Sequence, residues 1–145
     1  MTRYLSIVLG TDTSFEELVS EIKYVFDIGL LTKDDKGRYI ATGDCGKYKV
    51  IVIDKLDRTS ELLCDEHYTL EFAMNSENDN YEYEDNIRNI LYKGKIKWIR
   101  GVWNTINENE TCKIIYPYDK QYKSKSYNDF IQIKSECFSG FISYL

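Results

Sequence analysis

Chemistry in this sequence would have to begin with Cys64 and the only histidine, His67, three positions apart beside Asp65 and Glu66. A Cys–His pair can generate a thiolate nucleophile, yet catalytic partners normally converge from separate parts of a chain. These two are close only because they are neighbours in sequence, at the edge of an expected strand, which favours a structural or surface role. The four cysteines, Cys45, Cys64, Cys112 and Cys137, stand 19, 48 and 25 residues apart with no C-x-x-C pair. Zinc sites of the usual kind need close ligand pairs on a turn, so no metal is expected and the cysteines read as reduced, small apolar residues. No G-x-S-x-G, P-loop, G-x-G-x-x-G or H-E-x-x-H is present. Acids are abundant, but no spacing singles out a carboxylate pair for acid–base work. The expectation is a protein without cofactor that is not an enzyme.

The most distinctive stretch runs from Glu77 to Asp85. Glu77, Asp79, Tyr81, Glu82, Tyr83, Glu84 and Asp85 put five carboxylates and two tyrosines within nine residues, with no cation before Arg88. The plainer reading is a solvated loop whose acids sit at a helix N-terminus, where the helix dipole favours them. The functional reading is a docking surface for a cationic partner. Acids steer association, and tyrosine offers a large contact area with a polar tip.

Charge is unevenly distributed. Residues 1–92 hold 19 acids against 10 Lys/Arg, a net of −9, whereas residues 93–145 hold 5 against 9, a net of +4. The acidic portion would repel phosphates and attract a basic protein. The lysine-rich portion, Lys95 to Lys134, keeps a small nucleic-acid-binding module as the alternative. Sheets that bind single strands carry aromatics interleaved with cations on one face. Here Lys95 and Lys97 alternate with Ile96 and Trp98, which reads more simply as one solvated side and one core side. Trp98 and Trp103 are five residues apart, so a regular strand would point them to opposite faces.

These residues must be positioned by elements that the pattern predicts. Tyr4 to Leu9 is a buried strand. Ser14 and Glu17 form an S-x-x-E capping box for a helix with Phe15, Leu18, Val19, Ile22, Val25 and Phe26 on one stripe, ended by Gly29. Asp34 to Gly37 is a turn, and Arg38–Thr42, Lys47–Asp54 and Tyr68–Met74 are strands. Asp57 to Glu66 is a polar connection with Leu62 and Leu63 tucked in. A second helix spans about Tyr81 to Tyr92, with Tyr83, Ile87, Ile90 and Leu91 inward and Gly94 ending it. Strands follow over Lys95–Trp103 and Thr111–Tyr116. The segment from Ser126 to Leu145 fits a helix better than the strand that Phe130–Ile133 also allows. The fold class is therefore α+β, a mainly antiparallel sheet in β-α-β-β-β-α-β-β-α order with helices packed on it.

A length of 145 residues with 43% hydrophobic residues suits one globular domain over 1–145. There is no run of about 18 apolar residues to cross a membrane, and the N-terminus lacks the pattern of a secretory signal. A cytoplasmic location is expected. In overall character, as a small acidic domain with the Glu77–Asp85 segment and no catalytic motif, the chain resembles bacterial immunity proteins of polymorphic-toxin or contact-dependent growth inhibition systems. That resemblance implies a one-to-one complex with a cognate toxin domain, often a nuclease, whose basic cleft the acidic surface would cover.

Overall fold

A computed structural model describes residues 2–63, 65–75, 81–104 and 113–119. The chain runs β1 (Thr2–Leu9), α1 (Phe15–Phe26), β2 (Leu31–Asp35), β3 (Arg38–Asp44), β4 (Lys49–Asp57), β5 (Leu62–Leu63), β6 (Thr69–Asn75), α2 (Tyr81–Lys93), β7 (Trp98–Trp103) and β8 (Lys113–Ile115). The fold is α+β. The strands form one open antiparallel sheet in the order β2-β3-β4-β6-β1-β7-β8, with β5 paired to β4. The expected segment from Ser126 to Leu145 lies outside the described residues.

Both helices pack on the same face of the sheet. Phe15 of α1 sits against Tyr39 and Tyr68, and Phe26 against Tyr48 and Phe72. From α2, Tyr83 meets Tyr48, and Arg88 lies over Trp98. The alternation of the central strands makes this possible: Leu5, Ile7 and Leu9, Leu70 and Phe72, and Val50 and Val52 all point to the helix side and are fully buried. Burying each such side chain stabilises the fold by roughly 1.5–3 kcal/mol before entropy is subtracted.

Helix α1 begins as its sequence predicts, with Ser14 Oγ accepting from the Glu17 amide at 3.2 Å. It stops earlier than Gly29. Asp27 takes the left-handed conformation at φ 53°, and the Ile28 amide closes back on the Lys23 carbonyl. At the end of α2 the left-handed residue is Lys95, not Gly94. Gly94 is needed for a different reason, since a Cβ there would run into Val25 of α1.

Three expectations about the strands are corrected. Strand β2 starts where the sequence marks only the Asp34–Gly37 turn, because Leu31-Thr32-Lys33-Asp34-Asp35 is exposed throughout and has no burial pattern. It exists through pairing with β3 across a two-residue turn, Lys36-Gly37, in which both residues have positive φ and Asp34 Oδ1 accepts from the Gly37 amide. Leu62 and Leu63 are not tucked in but stand 67% and 63% exposed on the short strand β5. Trp98 and Trp103 also share a face. Leu9 pairs with Trp98 while Val8 pairs with Arg100, so Ile99 is an extra, bulged residue. The bulge resets the alternation and turns Trp98 to the helix side along with Trp103.

Candidate functional site

The acid–tyrosine segment is divided by the fold. Glu77 and Asp79 lie outside the described residues, and for Tyr81 and Glu82 only the helical backbone of the first turn of α2 is described. Tyr83 is half-buried against Tyr48. Asp85 is exposed. Glu84 corrects the expectation of a continuous acidic surface, because it is turned inward and only 2% exposed.

The reason is helical spacing combined with β7. Glu84 and Arg88 are one turn apart on the side of α2 that faces the two tryptophans. Trp103 Nε1 donates to Glu84 Oε1 at 2.7 Å, and Arg88 Nε donates to Oε2 at 3.2 Å. Lys113 Nζ from β8 adds an ion pair at 3.6 Å. Arg88 then reaches outward. Its Nη1 donates to the Tyr116 carbonyl at 2.9 Å, and its Nη2 to Asp119 Oδ2 at 3.0 Å, with the guanidinium over the Trp98 ring. Asp119 Oδ2 also accepts from the Tyr116 amide at 2.8 Å, which closes the turn. A buried ion pair stabilises only when its polar atoms are well satisfied, and this one is held by bonds from α2, β7, β8 and the following turn.

This network also holds an aromatic pair that no sequence pattern marks. Beyond β8, Tyr116 and Tyr118 stack with centroids 5.3 Å apart and planes at 15°, and Tyr118 is exposed. Arg88 fixes the backbone that bears them to α2, where Asp85 stands three residues before Arg88. The only trace in the sequence was the four-residue spacing of Glu84 and Arg88, which allows an i,i+4 pair but does not name Asp119.

Much of the acidity elsewhere is already used internally. Asp54, fully buried in β4, accepts from Arg58 Nε at 2.9 Å and from the Leu56 amide at 3.1 Å. Arg58 continues to Glu16 of α1 and lies over Tyr39, while Lys55 pairs with Asp12 and lies over Tyr68. Arg38 pairs with Asp65. These contacts tie the start of α1 to the end of β4 and leave fewer free acids than composition suggests.

Among the described residues, His67 meets one acid, Glu66. Its Nε2 is 3.9 Å from Glu66 of the same loop, and Cys64 lies outside the described residues. Among the described residues no three His, Cys, Asp or Glu side chains gather closely enough to hold a metal ion. Nor, among them, is any helix long and apolar enough to cross a membrane.

The second face of the sheet differs in kind. Registers align one row of side chains across seven strands: Leu31, Thr42, Ile51, Glu71, Ser6, Val102 and Ile114. The next row is Lys33, Ile40, Ile53, Thr69, Val8 and Arg100. Neither described helix touches this face, and none of its aliphatic residues belongs to the core cluster. Near its middle, Glu71 Oε2 accepts from Ser6 Oγ at 3.4 Å. Burial pushes the Glu71 carboxyl above the ordinary glutamate value, only partly offset by the Ser6 bond.

No protein-family model matches this sequence, and no curated protein matches it either.

Proposed function

We propose that the chain is a protein-binding module of the immunity-protein kind, which acts in the cytoplasm by binding and neutralising a cognate basic toxin domain, a nuclease. One observation carries the reading: exposed Asp85 and the stacked pair Tyr116–Tyr118 are held in a fixed relation by the Arg88 network. A surface that combines rigid aromatics with acids binds a cationic protein at low entropic cost. Glu82 and the neighbouring acids of the segment extend the negative charge along the chain, while Glu84 serves the interior.

The test is binding and neutralisation of the toxin domain sought in the neighbouring reading frame. Replacing Glu82 and Asp85 by lysine should slow association, most strongly at low salt where screening is weak. Tyr118→Ala should speed dissociation. If both variants bind and protect as well as the wild type, this surface is not the one used.

The nucleic-acid alternative draws less support. Trp103 is buried and half-buried Trp98 has Arg88 over its ring, so neither stands on an open sheet face for stacking, and Tyr4 is the aromatic residue on the second sheet face among the described residues. Lys95, Lys97 and Arg100 are exposed and could meet phosphates. A salt-dependent shift of labelled RNA or DNA by the isolated protein would revive that reading.

A further inference from the structure

We infer that the second sheet face is a separate docking surface, taking a protein segment that is apolar and offers one lysine or arginine to Glu71. The inference goes beyond the toxin reading and does not depend on it. Aliphatic side chains such as Ile51, Ile53, Val8 and Val102 make a broad β-branched platform on the side away from both helices. The half-buried aliphatics alternate with Ser6, Thr42, Thr69 and Glu71, and Leu31 and Ile114 at the two ends are 64% and 49% exposed, a mixed surface of the kind that marks an interaction site. Glu71 tells what kind of partner fits. Its carboxylate lies within this platform, directly beside Ile51 and Ser6, and it has no ion pair with any described residue. A carboxylate losing water in such a place is costly unless a cation meets it. Lys33 and Arg100 stand further out on the same face, and Lys49, diagonal to Glu71, has Asp44 opposite it, so the complementary partner has its cation in the middle, over Glu71.

Other occupants fit less well. Two copies stacked face to face about a twofold axis would bring one Glu71 towards the other, which like-charge repulsion opposes. A nucleic acid would meet the carboxylate with phosphates and find few rings for stacking. Addition of a strand at β2 is discouraged by Lys33, Asp34 and Asp35, the kind of charges that protect edge strands from pairing.

The experiment is a selection of displayed random peptides on the immobilised full chain. Enriched peptides are then titrated into wild-type, Glu71→Gln and Ile51→Asp protein, and backbone NMR shifts map where they land. Enriched peptides are expected to carry a lysine or arginine among apolar residues and to move the signals of Ser6, Ile51, Glu71 and Val102. Affinity should fall about tenfold for Glu71→Gln, as for loss of a charge-assisted bond. Glu71→Gln conserves shape and keeps the test decisive even if Ile51→Asp fails to fold. The inference is overturned if nothing is enriched, if the peptides lack a cation, if they map to α2, or if Glu71→Gln binds them as tightly as wild type. A concentration-dependent dimer that protects these same signals would overturn it in favour of a second copy.

Discussion

Glu84 and Asp85 are adjacent acids with opposite fates, and they set the strongest prediction at the scale of single residues. Glu84 is buried and bonded to Trp103 and Arg88, so Glu84→Ala leaves the indole N–H without its acceptor and takes one of two carboxylates from Arg88, which keeps Asp119. A loss of about 2–3 kcal/mol is expected in urea unfolding, as for a buried donor left unsatisfied and a charge-assisted bond removed. Asp85→Ala should change stability by less than about 0.5 kcal/mol, as for an exposed site. Glu71 supplies a second prediction, read from pH. Its folded-state pKa is raised by burial, so the folded chain holds this proton more tightly than the unfolded chain. The stability it contributes is full below the unfolded value and is lost as pH rises through the folded one. Lys49 and Arg100 are the nearest charged residues on the same face by register, and neither is paired with it. Glu71→Gln should therefore be at least as stable as wild type at neutral pH and lose that advantage in acid. Equal pH profiles for the two proteins would show that burial does not govern this carboxyl.

Among the elements, α1 shows a local rule carried through to the structure. Ser14→Ala should cost about 1 kcal/mol in thermal or urea unfolding, because the Glu17 amide loses its cap. Helix α2 follows its stripe as well, with Ile87 and Leu91 buried. What its sequence could not indicate was a second inward line through Glu84 and Arg88, since acids and arginines are ordinarily assigned to solvent. The turn at Lys36-Gly37 is the point where β2 depends on a single residue. Gly37→Val should destabilise the hairpin, both because φ is 93° there and because a side chain would collide with Asp57 and Thr59. Faster amide exchange through β2 and β3 is the measurement that would register it.

At the scale of the molecule, the described residues make two layers, helices on one face of the sheet and a second face that neither described helix touches. The two proposed surfaces lie on different parts of this body and so can be separated. Lysine at Glu82 and Asp85 should alter toxin association without changing peptide binding at the sheet face. Glu71→Gln should do the reverse. If one variant disturbed both, the surfaces would not be independent, and a global loss of structure would be checked first by circular dichroism.

The class of fold was legible because periodicity is local: Phe15 to Phe26 repeats at helical spacing, and Leu70, Phe72 and Met74 alternate. The sequence by itself also determined the Ser14 cap, the extent of α2 and the uneven charge. Only the tertiary structure decided which acids are free. Glu84 reads as a surface charge, and no spacing marks Asp54 as buried, until Arg88 and Arg58 are brought against them. The direction of Trp98 was likewise undecided, because a one-residue bulge at Ile99 reverses an alternation that no local pattern marks. Burial, pairing and register depend on contacts between residues far apart in the chain, and spacing along the chain does not encode them.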